Sequence, residues 1–228
     1  MHGRVEVFVK PAYNRVYMLQ LGTMKNSIKF VYFDIGGVFL RWREMFEAIA
    51  VKIGKTETEL MEVFGRYDDL ACKGDITSNE LWEKMKNELG LEKTKDDFDD
   101  FMSYSIESFT VIPETHEFAK EVSSHFPIGL LSNVHTGVYE LVRGKGLIPD
   151  LPYKVAIRSC DIGMAKPEPP IYRYAQKQAG VSASSILFTD DIPVNIEAAQ
   201  KLGWQGVVFD TDQPEKSIRE IRKILAMS

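Results

Sequence analysis

The sequence predicts an α/β fold, a doubly wound parallel sheet with an all-helical segment inserted after the first strand. Three observations predict it. Short apolar runs alternate with helical patterns over most of the chain, most of the runs lead into polar clusters, and residues 43–108 show helical patterns alone. With 228 residues, 44% of them hydrophobic, the chain is long enough to bury a full core.

Five apolar or β-branched runs form the predicted sheet. The first ends in Asp34, the second leads into Ser132 and Asn133, and the fourth leads into Asp190 and Asp191. Parallel strands of such a sheet present their carboxyl ends at one edge, where ligands bind, so these polar residues are expected to meet there. The runs are 28–33, 128–131, 155–157, 186–188 and 206–209, and the third leads through Ser159 and Gly163 to Lys166.

Helical patterns lie between most of these runs, at 114–124, 170–180 and 193–203. The inserted segment predicts helices at 44–53, 57–70, 78–89 and 96–108, with Ser78 as an N-cap and Gly90 closing that helix. We expect residues 24–42 and 109–228 to form the α/β core. Residues 43–108 are expected to form a helical cap that excludes water and shapes a substrate pocket.

The first 23 residues are interpreted as a non-catalytic extension. Val5, Val7 and Val9 alternate with polar neighbours, and turn residues follow from Pro11, a pattern typical of a β-hairpin. An equally serious interpretation makes Met24 the natural start, with the preceding stretch a misassigned leader or an unstructured extension.

Composition excludes several classes of partner. A net charge of -5 leaves no cationic surplus for a nucleic-acid backbone, and no apolar run reaches the length of about 18 residues that a membrane span requires. Charged residues interrupt any secretion signal, and Cys72 and Cys160 are isolated, which together predict a cytoplasmic protein. The four histidines lack ligand spacing, so a zinc site is not expected.

The polar clusters, in their order along the chain, resemble the haloacid dehalogenase superfamily of phosphohydrolases, with a helical cap of the first type. The resemblance covers roughly residues 29–209. Its motifs are Asp34-Ile35-Gly36-Gly37-Val38, Leu131-Ser132-Asn133, the stretch from Ser159 to Tyr172 with Lys166, Phe188-Thr189-Asp190-Asp191, and the cap signature Lys73-Gly74-Asp75-Ile76-Thr77.

The residue types of these motifs suit phosphoryl transfer. A carboxylate such as Asp34 can attack phosphorus and carry the phosphoryl group, which divides a difficult hydrolysis into two easier steps. Three clustered carboxylates repel one another without a cation, and Mg²⁺ is the ion that prefers such oxygen ligands. The resemblance implies that the metal ligands are Asp34, the main-chain carbonyl of Gly36, Asp190 and Asp191.

The remaining site residues are expected to hold the substrate. Ser132 offers a hydroxyl, Asn133 a backbone N–H and Lys166 a positive charge to the transferring phosphoryl group. Gly36 and Gly37 let the backbone approach the ion closely. Arg41, Trp42 and Lys73 are assigned to the entrance beneath the cap. His135, which follows the second motif and could face the substrate, is interpreted as a solvated loop residue. Taken singly, each of these residues has a plain structural explanation, and only the set favours catalysis.

One position departs from the family pattern. Phosphatases of this family usually carry a second Asp two residues after the nucleophile, as general acid and base, and here that residue is Gly36. Its loss typically costs about 10²- to 10⁴-fold in rate. The sequence therefore predicts a magnesium-dependent phosphohydrolase of a small phosphorylated metabolite, and three consequences of Gly36 stay open. The substrate has a good leaving group, as in an anomeric sugar phosphate, an acyl phosphate or an aryl phosphate; the substrate or the cap supplies the proton; or the domain no longer catalyses. Some family members with Gly at this position resemble sugar-1-phosphate phosphatases, which favours the first. A haloacid dehalogenase and a non-catalytic binding domain are the alternatives.

Overall fold

The computed structural model describes residues 28–91 and 101–227. The expectations for residues 1–23 and for the choice of Met24 as the start lie outside the described residues. The beginning of the fourth predicted cap helix, 96–100, lies outside them as well.

The centre of the fold is a parallel sheet of five strands in the order β5-β4-β1-β6-β7. This arrangement confirms the predicted fold class. β1 pairs with β4 on one side and with β6 on the other, so the chain segments that follow these three strands leave the sheet side by side. The strands are β1 (Phe30–Phe33), β2 (Leu40–Arg41), β3 (Thr110–Val111), β4 (Ile128–Ser132), β5 (Val155–Arg158), β6 (Ile186–Asp190) and β7 (Gln205–Val208).

The central strand is buried on both faces because helices cover both sides of the sheet. Each residue of β1 is at most 1% exposed. Val31 and Phe33 belong to one hydrophobic cluster, whereas Phe30 and Tyr32 belong to another on the opposite face. Alternate side chains of a strand point to opposite faces, so a run that is apolar throughout suits this doubly covered position.

Ten α-helices and one short 3₁₀-helix (Ala183–Ser185) are assigned within the described residues. The α-helices at 113–123, 169–179 and 193–201 follow the predicted patterns within two residues, whereas those at 138–144, 159–162 and 214–225 were not predicted. The helices are α1 (Glu44–Ile53), α2 (Glu57–Cys72), α3 (Ser78–Leu89), α4 (Phe101–Ile106), α5 (Pro113–Ser123), α6 (Val138–Gly144), α7 (Ser159–Ile162), α8 (Pro169–Ala179), α9 (Pro193–Lys201) and α10 (Pro214–Leu225).

The inserted segment, α1 to α4, has its own hydrophobic cluster. Capping boxes begin α2 at Thr56 and α3 at Thr77, where each threonine accepts the backbone N–H three residues on and a glutamate there accepts in return. The prediction of Ser78 as the N-cap of α3 was therefore wrong, because Thr77 takes that place. Gly90 ends the helix with a φ of 68°, as the sequence predicted.

The two ends of the inserted segment are joined side by side. β2 and β3 pair antiparallel, with Leu40 opposite Val111 and Arg41 opposite Thr110. The backbone N–H of Ile112 also donates to the carbonyl of Phe39 at 2.8 Å. Across residues 28–91 and 101–227, no helix has both the length and the apolar character needed to cross a membrane.

Candidate active site

Asp34, Asp190 and Asp191 meet at the carboxyl edge of the sheet. Asp34 directly follows β1, and Asp190 is the last residue of the neighbouring strand β6. One carboxylate oxygen from each of the three lies within 4.8 Å of the others. Asp34 is 6% exposed and Asp190 is fully buried. The strand pairing thus concentrates negative charge where solvent is excluded.

Lys166 lies between two of these carboxylates. Its Nζ is 3.0 Å from Oδ1 of Asp34 and 2.5 Å from Oδ2 of Asp190, and its side chain is 1% exposed. The side chain of Asn133 positions the lysine backbone, since its Nδ2 donates to the Lys166 carbonyl and its Oδ1 accepts the Lys166 N–H, both at 2.8 Å. The sequence reasoning expected only the backbone of Asn133 to act, so this anchoring role of its side chain was missed.

The three carboxylates differ in how many hydrogen bonds and ion pairs offset their negative charge. Asp34 also accepts the N–H of Ile35 at 2.7 Å. Asp190 accepts the N–H of Ile192 at 2.8 Å and the amide of Asn195 at 3.0 Å. Over the described part of the chain, Asp191 receives no hydrogen bond from another side chain and no ion pair. It is therefore the least compensated of the three.

Burial and mutual repulsion disfavour the charged forms of these acids. Burial raises the pKa of Asp34 to about 7, with Asp190 and Asp191 adding to the rise and Lys166 and Ser132 opposing it. Burial, aided by Asp190, raises the pKa of Asp191 to about 6. Burial alone would lower the pKa of Lys166, but the attraction of Asp190 and Asp34 outweighs it and raises that pKa. One lysine does not neutralise three carboxylates.

A divalent cation fits this donor set. The converging side-chain atoms are carboxylate oxygens, which are hard ligands of the kind that Mg²⁺ prefers, and the local excess of negative charge would be relieved by the ion. Ser132, 1% exposed at the end of β4, adds a hydroxyl beside Asp34. Gly37 keeps room for Asp191, because a Cβ on it would lie 2.2 Å from Cγ of Asp191 at a φ of +71°.

Gly36 packs against an indole ring. A Cβ built on Gly36 would lie 3.0 Å from Cδ1 and 3.1 Å from Nε1 of Trp42. A side chain at position 36 would therefore be crowded by Trp42 unless the indole shifted by a few tenths of an ångström. Its φ lies outside the left-handed region, so steric room and not backbone strain distinguishes this glycine from Gly37.

A cavity of about 320 Å³ lies between the sheet edge and the inserted helices. Its size is at the lower end of the roughly 300–1,000 Å³ typical of small-molecule sites. The described residues around it include most of the predicted site, namely Asp34, Gly36, Ser132, Asn133, Lys166 and Asp191.

Three predicted substrate contacts do not line this cavity. Arg41 donates instead to the carbonyl of Thr211 at 3.0 Å, and both Gly37 and Arg41 line a neighbouring depression. Lys73 forms ion pairs with Asp69 at 2.9 Å and with Glu168 at 2.7 Å. The Lys73 pair with Glu168 joins the inserted segment to the core, so its place in the structure is that of a bridge.

His135 was interpreted as a solvated loop residue, and this was wrong. It is 4% exposed, its Nε2 lies 2.8 Å from Oδ1 of Asp68, and its Nδ1 lies 3.1 Å from Oγ of Ser78. Phe64 stacks on the ring with centroids 6.0 Å apart. These partners all belong to α2 and α3, and no sequence spacing relates them to His135, so only the fold could reveal the contact.

Cys72 completes a second group of possible metal donors. Its Sγ lies 3.7 Å from Oδ1 of Asp68, and one donor atom each of Asp68, Cys72 and His135 falls within 4.8 Å of the others. Hydrogen bonds account for the geometry without an ion, because both ring nitrogens of His135 already have protein partners. Burial, with Asp68 adding to it, raises the pKa of the Cys72 thiol well above its ordinary value.

Solved structures share this fold. An enzyme of the haloacid dehalogenase family from Bacteroides thetaiotaomicron, in complex with magnesium and inorganic phosphate, is 22% identical, with a TM-score of 0.61 over 81% of this chain and 96% of its own. A predicted family hydrolase from Porphyromonas gingivalis is 20% identical, with a TM-score of 0.66 over 86% and 98%. A dehalogenase with an intermediate complex is 16% identical, with a TM-score of 0.64 over 89% and 99%.

Curated relatives match over shorter segments. Acyl-CoA dehydrogenase family member 10 of Mus musculus is 26% identical over 133 residues, which are 51% of this chain. Bifunctional epoxide hydrolase 2 of Rattus norvegicus is 33% identical over 69 residues, which are 30% of this chain. Each match spans 12% of the relative's own length. The model of the haloacid dehalogenase-like hydrolases matches residues 28–203, and the chain belongs to this family.

Proposed function

We propose that this protein is a magnesium-dependent phosphohydrolase that acts on a small phosphorylated metabolite through an aspartyl-phosphate on Asp34. One observation carries the proposal. A buried carboxylate at the floor of a small cavity is accompanied by two further carboxylates and a buried lysine. Attack on carbon by a single aspartate gives no reason for the second and third carboxylates, whereas a phosphate ester with its metal ion does.

The metal would be held by Asp34, Asp190 and Asp191, with the main-chain carbonyl of Gly36 as the further ligand that the family resemblance implies. When bound, magnesium supplies positive charge to the phosphoryl oxygens and to the crowded carboxylates. The magnesium and phosphate of the Bacteroides thetaiotaomicron enzyme support this assignment by analogy of fold.

Asp34 is the proposed nucleophile. As one of its oxygens bonds to phosphorus, the ester P–O bond breaks and the leaving oxygen takes the electron pair. The Nζ of Lys166 lies 3.0 Å from Oδ1 of Asp34, where its charge would offset the negative charge that develops in the transition state. Ser132 donates its hydroxyl from the adjacent strand end. Asn133 keeps Lys166 in place through the two backbone hydrogen bonds.

The proton for the leaving oxygen has no evident donor at position 36. The indole of Trp42 lies 3.0 Å from where a Cβ on Gly36 would stand. Leaving groups that depart as stable anions are therefore the ones we expect Asp34 to expel, and residues 43–108 are proposed to act as the lid that keeps water out during the first step.

The test is phosphate release from a panel of acetyl phosphate, p-nitrophenyl phosphate and sugar-1-phosphates, with magnesium or with EDTA. Turnover that needs magnesium and disappears in Asp34→Asn supports the proposal. Halide release from 2-haloacids without metal would identify a dehalogenase instead. Binding of phosphate esters without any turnover would identify a non-catalytic member of the family.

A further inference from the structure

The cavity has an apolar wall that includes two phenyl rings and one indole ring, here called the aromatic wall. Side chains that line it come from the start and end of the inserted segment, from α1, α2 and α4, and from α6 of the core. The cavity lies where two hydrophobic clusters approach each other, and Trp42 and Phe109 pack against both clusters. The side chains that form this wall include Trp42, Met45, Phe64, Met102, Phe109 and Val142.

The amide and imidazole groups that line the same cavity are already engaged within the protein. Both polar atoms of the Asn133 side chain hold the backbone of Lys166, and the amide nitrogen of Asn195 donates to Asp190. Both ring nitrogens of His135 face Ser78 and Asp68. A sugar hydroxyl buried here would compete with these bonds, and each hydroxyl left without a partner is expected to lower kcat/KM roughly tenfold.

Two charged side chains of the described part of the inserted segment also line the cavity. Arg43 is exposed, with its guanidinium 5.0 Å from the centre of the Trp42 ring, and this contact leaves its N–H groups able to donate to a ligand. Asp68 accepts from His135 and is half-exposed. The lining therefore combines polar groups that suit a phosphoryl group with apolar side chains that suit an apolar leaving group.

The absence of an acid at position 36 favours esters of aryl alcohols, whose leaving groups also suit the apolar lining of the cavity. A phenol such as the tyrosine side chain has a pKa of about 10, well below the pKa of a simple alcohol. An aryloxide can therefore leave phosphorus without a proton from the protein, and an alkoxide leaves far less readily. The ring of Trp42 lies against Gly36 and also forms part of the aromatic wall.

We propose that the substrate is a phosphate monoester of an apolar, aromatic alcohol. This inference rests on the proposed function and departs from the sugar phosphates that the sequence resemblance suggested. In the first step an oxygen of Asp34 bonds to phosphorus and the aryl P–O bond breaks, with the electron pair leaving on the aryloxide. In the second step water attacks phosphorus, the Asp34 carboxylate is regenerated, and phosphate leaves with the proton balance made up by solvent.

A kinetic signature follows, because the second step lacks a base at position 36 whatever the substrate is. For esters with good leaving groups, formation of the aspartyl-phosphate outpaces its hydrolysis. The aryl alcohol should then appear in an initial burst that approaches one equivalent per protein molecule. Across aryl phosphates kcat should stay constant, whereas kcat/KM should rise as the pKa of the phenol falls.

The experiment compares 1-naphthyl phosphate, glucose-1-phosphate and acetyl phosphate, the last being a good leaving group without a ring. We expect kcat/KM for 1-naphthyl phosphate to exceed that for glucose-1-phosphate by about 100-fold, the loss expected for two unpartnered hydroxyls. Binding supplies a readout apart from turnover. Phenylphosphonate should change the fluorescence of Trp42 and bind at least tenfold tighter than methylphosphonate.

Variants separate the aromatic wall from the chemistry. Trp42→Leu and Phe109→Leu should each lose most of the preference for phenylphosphonate over methylphosphonate, a ratio of binding constants that does not depend on turnover. Met61→Leu is the matched control, since Met61 is on α2 but 37% exposed and away from the cavity. Turnover of acetyl phosphate without any preference for the naphthyl ester would overturn this inference and leave the proposed function standing. Absence of both turnover and phosphoenzyme with all three esters would overturn the proposed function itself.

Discussion

Restoring an acid at position 36 should require the removal of Trp42. The Cβ that Gly36→Asp introduces would lie 3.0 and 3.1 Å from two ring atoms of Trp42, closer than ordinary contact. Overpacking of this kind costs about 1–3 kcal/mol. For a protein of this size, that predicts a fall in Tm of about 2–12 °C. The carboxylate would also be deflected from the leaving oxygen, so the single variant should gain little activity towards alkyl phosphates.

The double variant Gly36→Asp/Trp42→Leu frees that space. Its kcat/KM for glycerol phosphate should rise by about 10²- to 10⁴-fold, the usual contribution of general acid and base catalysis. Gly36→Ala/Trp42→Leu is the matched control, because it has the same space and Cβ but no carboxylate. Thermal unfolding and steady-state phosphate release with magnesium provide the two measurements.

Two results would refute this reasoning. If Gly36→Asp alone reached the full gain with an unchanged Tm, Trp42 would not obstruct the position. If the double variant folded, bound phenylphosphonate and yet matched its alanine control on glycerol phosphate, the absent acid would not be what limits the leaving group.

Further predictions concern the carboxylates. Asp34→Asn should abolish turnover and the covalent phosphoryl adduct seen by mass spectrometry of the intact protein; an adduct that persists would place the nucleophile elsewhere. Asp191→Asn removes the least compensated charge, so Tm in EDTA should rise while the stabilisation by magnesium shrinks, and an unchanged magnesium response would argue against Asp191 as a ligand. Because the pKa values of Asp34 (about 7) and Asp191 (about 6) are raised above those of the unfolded chain, the folded state binds more protons between about pH 4 and pH 7. The free energy of unfolding in EDTA should therefore fall as pH rises through that window, and saturating magnesium should oppose the fall; urea titrations across the window check the sign.

Local patterns were enough to predict much of the fold and the grouping of the acids. Asp34, Ser132 and Asp190 each lie at the end of a run that only a buried parallel strand explains, and the topology of such sheets then brings strand ends together. No such rule relates Gly36 to Trp42 or His135 to Asp68. The contact of His135 with Asp68 depends on how the inserted helices pack on the core, whereas the contact of Gly36 with Trp42 depends on the turn between them, where Gly36 and Leu40 form an isolated bridge.

Two smaller errors have equally local causes. Thr77 and Ser78 are both good capping residues, and the choice between them depends on which one has a glutamate three residues on, which is Thr77 with Glu80. Arg41 sits next to the first motif in sequence, but it belongs to β2, and its guanidinium reaches the carbonyl of Thr211. Proximity along the chain was a poor guide to proximity to the cavity.

The pairing of β2 with β3 has a consequence for how this chain could change over time. The chain enters the inserted segment after β2 and returns from it at β3, and the two strands lie side by side, with Arg41 opposite Thr110 in a two-residue ladder. The chain between β2 and β3 can therefore be lengthened, exchanged or replaced by a short turn without changing the strand order of the five-stranded sheet. Novel ligand preferences can then arise by rewriting residues 43–109 while the reaction centre is inherited intact. Because the β2–β3 ladder holds the two ends of the inserted segment together, substitutions that change ligand selectivity can accumulate in that segment while the reacting residues at the edge of the sheet stay the same.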